Sequence, residues 1–380
     1  MKKKIFVVTE RRADYSKFKP VLNEIKKSKN LEYFLVVTGS HLLKTNGMTI
    51  NEIKNDGFKI FTTFEMYENN SDDSGAKMTN AFGRSIIALT DIIQQIKPDI
   101  ILAGFDIGAN FAASIVGAHL NIVVAHMEGG DVTGTIDESI RHATSKFAHI
   151  HFTTNKQASK ILMKMGEDPN FIFTVGNPSL DGIKNLKNIP DKILEDEFNI
   201  DLKNPFAIVL LHPVTSELNN LEKNISEILD GIKQSGITTL IIHGNSDAGY
   251  KIIRKKIENS NFKYVNTIEF QKFINLLKRA TLLIGNSSSG IMEAPFLGIP
   301  SINIGTRQNG RLRAKSVIDV SYNKNEIMKA IIRIMTDKKF NTSIVSQDTF
   351  YGVGNTSKKI VKILNELDLN SVAIQKKLTY

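Results

Sequence analysis

The sequence of 380 residues contains no cysteine and no tryptophan, and its apolar runs are all short. The absence of cysteine excludes disulfides, thiolate metal ligands and cysteine nucleophiles. No run approaches the roughly 20 apolar residues of a membrane-spanning helix. Met1 and three lysines resemble the start of a signal peptide, but the apolar run that follows them, residues 5–8, is too short for a signal core. We therefore expect a cytoplasmic protein with no membrane partner.

Positive charge is in excess, because 49 Lys and Arg residues against 39 Asp and Glu residues give a net charge of +10. Nucleic-acid binding is one interpretation of such a balance. The lysines, however, are scattered among Asn and Glu, and no basic segment is interleaved with aromatic residues that could stack on bases. We predict no nucleic-acid partner, since a basic balance also suits an enzyme whose substrate carries a diphosphate.

Acidic and basic residues are concentrated in the segment 128–152, EGGDVTGTIDESIRHATSKFAHIHF. Glu128 and Asp131 follow an apolar run, which places them at the carboxyl end of a predicted buried strand, where open α/β sheets hold their ligands. Thr135 and Glu138 have the spacing of a capping box, and this predicts a helix with Asp137 in its first turn. A helix cap alone would need none of Glu128, Asp131 and Asp137. The cluster therefore indicates a catalytic site.

Strand and helix patterns alternate along the whole chain, which is typical of parallel, doubly wound sheets. We predict an α/β protein with two Rossmann-like domains that face a cleft. The first domain is predicted at 1–177, a linker at 178–204 and the second domain at 205–355. The helix and tail at 356–380 are compatible with either domain, and we expect them to pack back on the first. The polar segment 67–77 is predicted to be a loop over the cleft, followed by a helix from Met78 to Ile96.

Further candidate residues of the first half also follow strands. Asp106 comes just after the predicted strand 99–103. Arg12, Ser16 and Lys17 surround the turn between the first strand and its helix, next to a helix N-terminus that can bind an anion. On spacing alone, an ordinary solvated turn explains these three residues equally well.

Polar segments end the predicted strands of the second half and would face the same cleft. His212 ends the strand 207–211, and Asn245 lies in the segment that ends the next strand. The segment 285–290, GNSSSG, with Ser287 and Ser288 at its centre, resembles a phosphate cradle, because small residues let backbone N–H groups approach anionic oxygens. Glu293 could accept two ribose hydroxyls, and Arg307 could neutralise a diphosphate.

The sequence carries no cofactor signature. No set of histidines and acids has the spacing of metal ligands. No Gly-x-Gly-x-x-Gly follows the first strand, so a dinucleotide cofactor is not expected. We predict neither a metal nor a cofactor.

Together, these segments resemble the hydrolysing UDP-N-acetylglucosamine 2-epimerases, which make N-acetylmannosamine-type sugars for sialic acid and related nonulosonic acids such as legionaminic acid. The resemblance runs from RADYSK at 12–17 through EGGDVTGTIDESIRHA at 128–143 and HPVT at 212–215 to GNSSSG at 285–290 and GTRQ at 305–308. It covers nearly the whole chain. The non-hydrolysing relatives carry a different pattern, beginning Glu-Ala-Gly-Leu-Arg, at the place where this chain has its EGGD.

The resemblance implies a glycosyltransferase-B type fold, with the nucleotide held mainly by the second domain. It implies that Asp106, Glu128 and Asp137 are the catalytic carboxylates, and we add His212 to the catalytic set. We expect a homodimer or homotetramer. The residues expected to bind the nucleotide-sugar substrate are Arg12, Ser16, Lys17, His212, Asn245, Ser287, Ser288, Glu293 and Arg307.

One departure from the family concerns the substrate. Where the family usually has Gly-Asp-Arg, this chain has Phe105-Asp106-Ile107, so an arginine that contacts the nucleotide is missing. Both a UDP and a GDP carrier, and both N-acetylglucosamine and a 2,4-diacetamido-2,4,6-trideoxy sugar, are compatible with this change. The alternative functions are a glycosyltransferase of the same fold, a non-hydrolysing UDP-N-acetylglucosamine 2-epimerase and a non-enzymatic binding module. The dense acids at 128–137 argue against the binding module.

Overall fold

The first half of the chain forms a parallel sheet whose central strands are buried on both faces. The computed structural model describes residues 2–67, 74–244, 247–344 and 350–379. The strands are β1 Lys3–Thr9, β2 Leu31–Val37, β3 Ile60–Thr63, β4 Ile100–Gly104, β5 Val123–Met127, β6 Ile150–Thr153 and β7 Ile172–Thr174. Their order in the sheet is β3-β2-β1-β4-β5-β6-β7. All residues of β4 and β5 are buried, which explains their nearly continuous apolar sequences.

Helices cover both faces of this first sheet. They are α1 Arg12–Lys27, α2 Ile50–Asn55, α3 Gly75–Ile96, α4 Gly108–His119, α5 Ile136–Phe147 and α6 Lys156–Lys164. Helix α4 lies close to the sheet because its inner face is made of small residues. A Cβ on Gly117 would lie 2.6 Å from the Ile101 side chain and 2.8 Å from the Val124 side chain. Helix α3 begins three residues before the predicted start at Met78, and Ser74 caps it by accepting a hydrogen bond from the Lys77 amide. Most of the predicted loop at 67–77 lies outside the described residues.

The second half contains a parallel sheet of the same design. Its strands are β8 Phe206–Leu210, β9 Thr238–Ile242, β10 Lys263–Val265, β11 Leu282–Gly285, β12 Ser301–Ile304 and β13 Val317–Val320, in the order β10-β9-β8-β11-β12-β13. The sequence pattern identified the first five of these strands and missed β13. This last strand is a partly exposed edge of four residues, so its pattern does not differ from that of a loop.

The remaining helices include two within the segment predicted as a linker. They are α7 Ser179–Lys184, α8 Asp191–Phe198, α9 Leu221–Ser235, α10 Tyr250–Glu258, α11 Phe270–Leu277, α12 Glu293–Phe296, α13 Lys324–Thr336, α14 Lys338–Ser343 and α15 Thr356–Glu366. Helices α7 and α8 pack their apolar residues, among them Leu180 and Leu194, into the core under the second sheet. Helix α15 packs instead with α1 in the core of the first sheet.

The chain crosses between the two halves at two adjacent points. The Asn177 amide donates a hydrogen bond of 2.7 Å to the Tyr351 carbonyl, which ties the outgoing crossing to the returning one. Gly176 and Gly352 meet there with φ values of 104° and 106°, and a Cβ on Gly352 would lie 3.0 Å from the Gly176 Cα. A larger residue at either position would therefore disturb the close approach of the two crossings.

The order of the strands fixes where a ligand can bind. In each sheet the order reverses beside the first strand, between β1 and β4 and between β8 and β11. Crevices form at the carboxyl ends of the strands at such reversal points. Both crevices open into one cleft between the two sheets. The predicted α/β architecture of two doubly wound domains facing a cleft is confirmed. Among the described residues, no helix combines the length and apolar composition needed to cross a membrane.

Candidate active site

Two carboxylates enter the cleft from adjacent strand ends with unusual backbone conformations. Phe105, after β4, has a φ of 69°, and Glu128, after β5, has a φ of 63°. The Phe105 amide donates a hydrogen bond to the Met127 carbonyl, and the Glu128 amide donates one to the Phe152 carbonyl, each at 2.9 Å. Each chain therefore turns directly after its last hydrogen bond to the neighbouring strand. A left-handed conformation at a non-glycine residue costs on the order of 1–3 kcal/mol and is typical of functional sites. The turns direct Asp106 and Glu128 into the cleft.

Asp106 is paired with Arg141, a fully buried residue of α5 to which the sequence pattern gave no role. The Arg141 guanidinium donates to the Asp106 carboxylate and, at 3.0 Å, to the Asp131 carbonyl. Burial by itself raises the pKa of Asp106. The positive charges of Arg141, Arg11 and Lys17 outweigh this effect and hold that pKa below its usual range. Asp106 is therefore ionised at neutral pH.

Glu128 is paired with Lys17 of α1. The Lys17 ammonium lies 2.8 Å from the Glu128 carboxylate, which is 1% exposed. The same ammonium lies 4.5 Å from the centroid of the Phe105 ring, a favourable cation–π distance. Lys17 thus contacts a carboxylate of its own domain, whereas the sequence analysis assigned it to the nucleotide.

Asp137 stands at the start of α5, where the Thr135 hydroxyl accepts a hydrogen bond of 3.3 Å from the Asp137 amide. Thr135 caps the helix as predicted, but the capping box is not formed. The Glu138 carboxylate accepts from the Thr133 amide at 2.7 Å, so it closes the preceding turn instead of reaching the Thr135 amide. Burial and the negative charge of Asp106 raise the pKa of Asp137, against the opposing charge of Arg307.

His212 and Asn286 organise the facing side of the cleft. The Asn286 side chain accepts from the His212 amide and donates to the His212 carbonyl, both at 2.8 Å. The Asn286 carbonyl accepts from Arg307 at 3.2 Å and from Gln308 at 2.9 Å. Burial, with the charges of Arg307 and Arg11, holds the pKa of His212 well below its usual range, so its imidazole is neutral at pH 7. Asn286 lies within the GNSSSG segment, but the sequence pattern gave it no role of its own.

The predicted phosphate cradle follows β11. Gly285 has a φ of 135°, and a Cβ there would lie 1.9 Å from the Leu210 carbonyl oxygen, so a larger residue does not fit. Ser287 caps a short turn by accepting a hydrogen bond of 3.3 Å from the Ser289 amide. Glu293 is 5% exposed, and within the described part of the chain its Oε2 has no hydrogen-bond partner.

Side chains of the first half already reach the second half across the cleft. Arg11 lies 3.0 Å from Asp247. Arg12 pairs with Glu52 at 2.8 Å and donates to the Ile268 carbonyl at 2.6 Å. Arg12, assigned to the phosphates from the sequence, therefore ties the two halves together in this state of the protein.

The structure brings nearly all the predicted site residues to this one cleft. Its lining includes Arg12, Ser16, Lys17, Asp106, Glu128, Asp137, His212, Ser287, Ser288, Glu293 and Arg307. Asn245 lies outside the described residues. Asp131, part of the predicted cluster, does not line the cleft but accepts hydrogen bonds from Thr154 at 2.6 Å and Asn155 at 3.3 Å.

The chain is similar in sequence to proteins of one known family. The sequence profile of the family described as UDP-N-acetylglucosamine 2-epimerase matches residues 23–365. The chain belongs to this family. It is 32% identical over 380 residues to the UDP-N,N'-diacetylbacillosamine 2-epimerase (hydrolyzing) of Legionella pneumophila, with 99% of both chains covered. It is 31% identical over 332 residues to the GDP/UDP-N,N'-diacetylbacillosamine 2-epimerase (hydrolyzing) of Campylobacter jejuni, with 85% of both covered.

A solved structure of the 2-epimerase family has the same fold. The UDP-GlcNAc 2-epimerase of Neisseria meningitidis, in a crystal structure with UDP-GlcNAc bound, superposes with a TM-score of 0.83 at 21% identity. The superposition covers 96% of this chain and 100% of that one. The predicted glycosyltransferase-B type fold is therefore confirmed.

The cleft of this 2-epimerase family member combines carboxylates with cations. Three carboxylates face it, each beside a cation from Arg141, Lys17 or Arg307. Across residues 2–67, 74–244, 247–344 and 350–379, no three His, Asp or Glu side chains are grouped so that they could hold a metal ion.

Proposed function

We propose that the protein is a hydrolysing nucleotide-sugar 2-epimerase, which converts a UDP-linked or GDP-linked 2-acetamido sugar to the free 2-epimer and a nucleoside diphosphate. The observation that carries the proposal is the arrangement of Asp106 and Asp137 in one cleft, where their surroundings shift their pKa values in opposite directions. Carboxylates whose pKa values are pushed apart in this way are typical of the base and the acid of one catalytic site. The similarity to two relatives named as hydrolysing epimerases supports the hydrolytic outcome.

The proposed reaction has two stages. A carboxylate removes the proton at C2 of the sugar, the C1–O bond breaks, and its electron pair leaves with the diphosphate. Water then adds its hydroxyl to C1 of the unsaturated intermediate, and C2 receives a proton on the opposite face. Asp106 and Glu128, each paired with a cation, are the candidates for the base. Asp137 is the candidate for the acid.

The second domain would stabilise the departing diphosphate. Arg307 and the Ser287 turn would bind its oxygens, since charge that develops on a leaving group is stabilised by fixed donors around it. Neutral His212 would donate or accept a hydrogen bond without adding charge. The free Oε2 of Glu293 would accept a ribose hydroxyl. We place this reaction in the biosynthesis of nonulosonic acids of the sialic or legionaminic type.

The first prediction concerns the identity of the sugar. Ile107 occupies the N-cap position of α4 beside Asp106 and lines the cleft. An apolar side chain in contact with the sugar would favour a 6-deoxy sugar over one with an extra hydroxyl. We expect kcat/KM for a UDP-linked 2,4-diacetamido-2,4,6-trideoxy sugar to exceed that for UDP-N-acetylglucosamine by at least ~10-fold, the scale of one apolar contact. The same comparison with GDP-linked sugars tests the carrier.

The matched variants are Ile107→Leu, which keeps an apolar side chain, and Ile107→Arg, which restores the usual family residue. The first should keep the preference, and the second should reduce it. A clear preference of the unmodified protein for UDP-N-acetylglucosamine would show that the substitution has no bearing on selectivity.

The second prediction is that EDTA leaves turnover unchanged. The diphosphate has a cationic partner in Arg307, and proton transfer is assigned to carboxylates, so no step calls for a divalent ion. Rates with and without EDTA, after extensive dialysis, measure this. Loss of activity that a divalent ion restores would contradict the assignment of the acids.

Incubation with UDP- and GDP-linked amino sugars, with no acceptor present, tests the function itself. We expect a free 2-epimerised sugar and a nucleoside diphosphate. A nucleotide-linked epimer would indicate a non-hydrolysing epimerase, and turnover that needs an added acceptor would indicate a glycosyltransferase.

A further inference from the structure

The cation expected to bind the diphosphate is engaged by a candidate catalytic acid. The Arg307 Nη2 lies 3.3 Å from the Asp137 Oδ2, and these side chains are only 12% and 21% exposed. The other terminal nitrogen, Nη1, donates at 3.2 Å to the carbonyl of Asn286, the residue before Ser287. The guanidinium therefore stands between the acid of one domain and the phosphate cradle of the other.

The backbone beside this ion pair is held by contacts between the two domains. The Gly134 amide donates a hydrogen bond of 3.0 Å to the Arg307 carbonyl. A Cβ on Gly134 would lie 2.0 Å from the Thr306 carbonyl oxygen, so this close contact of the two domains requires glycine. Because the main chains are joined here, a rotation of the Arg307 side chain alone would move its charge from Asp137 to an anion at Ser287.

We propose that the substrate diphosphate draws Arg307 away from Asp137, so that Asp137 takes up a proton from solvent when the cleft is filled and releases it when the nucleoside diphosphate leaves. This inference rests on the proposed function for the identity of the ligand. Arg307 is then a positioning residue for the acid as well as a diphosphate ligand. Asp137 would be protonated only while substrate or product is bound.

The charges around Asp137 set the direction of this effect. The titratable and charged groups that face it are Asp106 after β4, Asp247 after β9, Arg11 before α1, Arg307 after β12 and Arg141 on its own helix. Arg11 is paired with Asp247, and Arg141 with Asp106, so Arg307 is the cation in direct contact with Asp137. Loss of that contact, together with the new negative charge of the diphosphate, favours the protonated carboxyl.

Proton uptake on binding follows by linkage. Asp137 has a higher pKa with the diphosphate bound than without it, so between the two values the complex carries more protons than the free protein. The affinity for UDP must therefore rise as the pH falls through that window. When Asp137 loses its proton, its carboxylate competes with the diphosphate for Arg307, and this favours the release of UDP.

Titration calorimetry of the full chain with UDP, in buffers of different ionisation enthalpy between pH 6 and pH 7.5, measures the protons taken up. We expect up to about one proton per site beyond the amount found for Asp137→Asn. That variant corrects for the titration of the terminal phosphate of UDP itself, which lies near pH 6. Arg307→Gln should bind UDP more weakly and take up fewer protons than the unmodified protein, because its Asp137 has already lost its cation. Arg307→Lys should recover part of the uptake.

Two results would overturn the inference: equal uptake by the unmodified protein and Asp137→Asn, or undiminished uptake by Arg307→Gln. Binding without turnover is measured throughout, so an error in the proposed reaction is detected separately. Proton uptake without epimerisation would support the inference and contradict the proposed reaction. Epimerisation without proton uptake would contradict the inference and support the reaction. A failure to bind either UDP or GDP would contradict this inference and the nucleotide site together.

Discussion

Glu128→Gln and Asp137→Asn are each expected to lower kcat by at least ~10²-fold, the usual effect of losing a positioned acid or base. Both replacements keep the size of the side chain, and neither residue belongs to the Ser287 turn. The affinity for UDP should therefore not fall. In Asp137→Asn it should rise slightly, because Arg307 loses its competing carboxylate. Steady-state kinetics and calorimetry on the same preparations separate the two effects.

Glu138→Gln is the matched control for these variants. Glu138 adjoins Asp137 on the same helix, is 36% exposed and does not line the cleft. A glutamine keeps an oxygen that can accept from the Thr133 amide, so kcat should not change. If the Glu128 and Asp137 variants also keep near-normal turnover, the acidic segment is structural and the proposed mechanism is wrong.

Arg141 should be as important for turnover as the carboxylates, and it should also affect stability. In Arg141→Met, Asp106 loses its buried partner, so its pKa rises and its carboxylate loses the donor that orients it. We expect kcat to fall by at least ~10²-fold. Removal of one member of a buried ion pair typically costs about 3–5 kcal/mol of unfolding free energy. Thermal unfolding at pH 7 should show a large decrease of the midpoint.

The pH dependence of this destabilisation follows from the ionisation of Asp106. In the unmodified protein the lowered pKa of Asp106 contributes stability above the unfolded value of about 3.9, and this is lost as the pH falls through the folded value. In Arg141→Met the pKa of Asp106 lies closer to the unfolded value, because Arg11 and Lys17 remain but Arg141 is lost, so this contribution is smaller. The difference in midpoint between the two proteins should therefore shrink as the pH falls below the unfolded value.

The double variant Arg141→Met with Asp106→Asn gives the control. It removes both charges, so much of the stability should return while turnover stays low. The single variant Asp106→Asn is less informative, because it leaves the buried Arg141 without its carboxylate. A stable, active Arg141→Met would contradict the account of this pair.

The fold and the position of the site could be predicted from the sequence because both depend on local patterns. Apolar runs followed by Asp106, Glu128 or His212 give strands whose carboxyl ends meet at one edge, and this places those residues in one cleft. The partners of these residues could not be predicted. Arg141 meets Asp106 across 35 residues of sequence, and Asn286 holds His212 across 74, contacts that depend on which strands are neighbours. An arginine on a helix and an asparagine in a turn look the same in sequence whether or not they make such contacts.

The same reasoning explains the errors at the edges of the fold. Helices α7 and α8 lie in a segment rich in Lys, Asn and Asp, and Leu180 with Ile183 and Leu194 with Phe198 are the few residues with helical spacing that reach the core. The capping-box pattern of Thr135 and Glu138 was ambiguous, because a glutamate at that position can reach either of two earlier amides. The turn at Thr133 determines which amide the Glu138 carboxylate reaches, and the sequence pattern does not predict that turn.

The most direct test follows the incorporation of solvent isotopes into the products. The protein turns over a UDP-linked 2-acetamido sugar in a mixture of D2O and H218O. The proposed reaction predicts a free sugar of inverted C2 configuration that carries one deuterium at C2, together with UDP that contains no 18O, since the bond broken is C1–O. NMR and mass spectrometry of the products give both answers. Free sugar without deuterium at C2, or 18O in the UDP, would contradict removal of the C2 proton and loss of the diphosphate from C1.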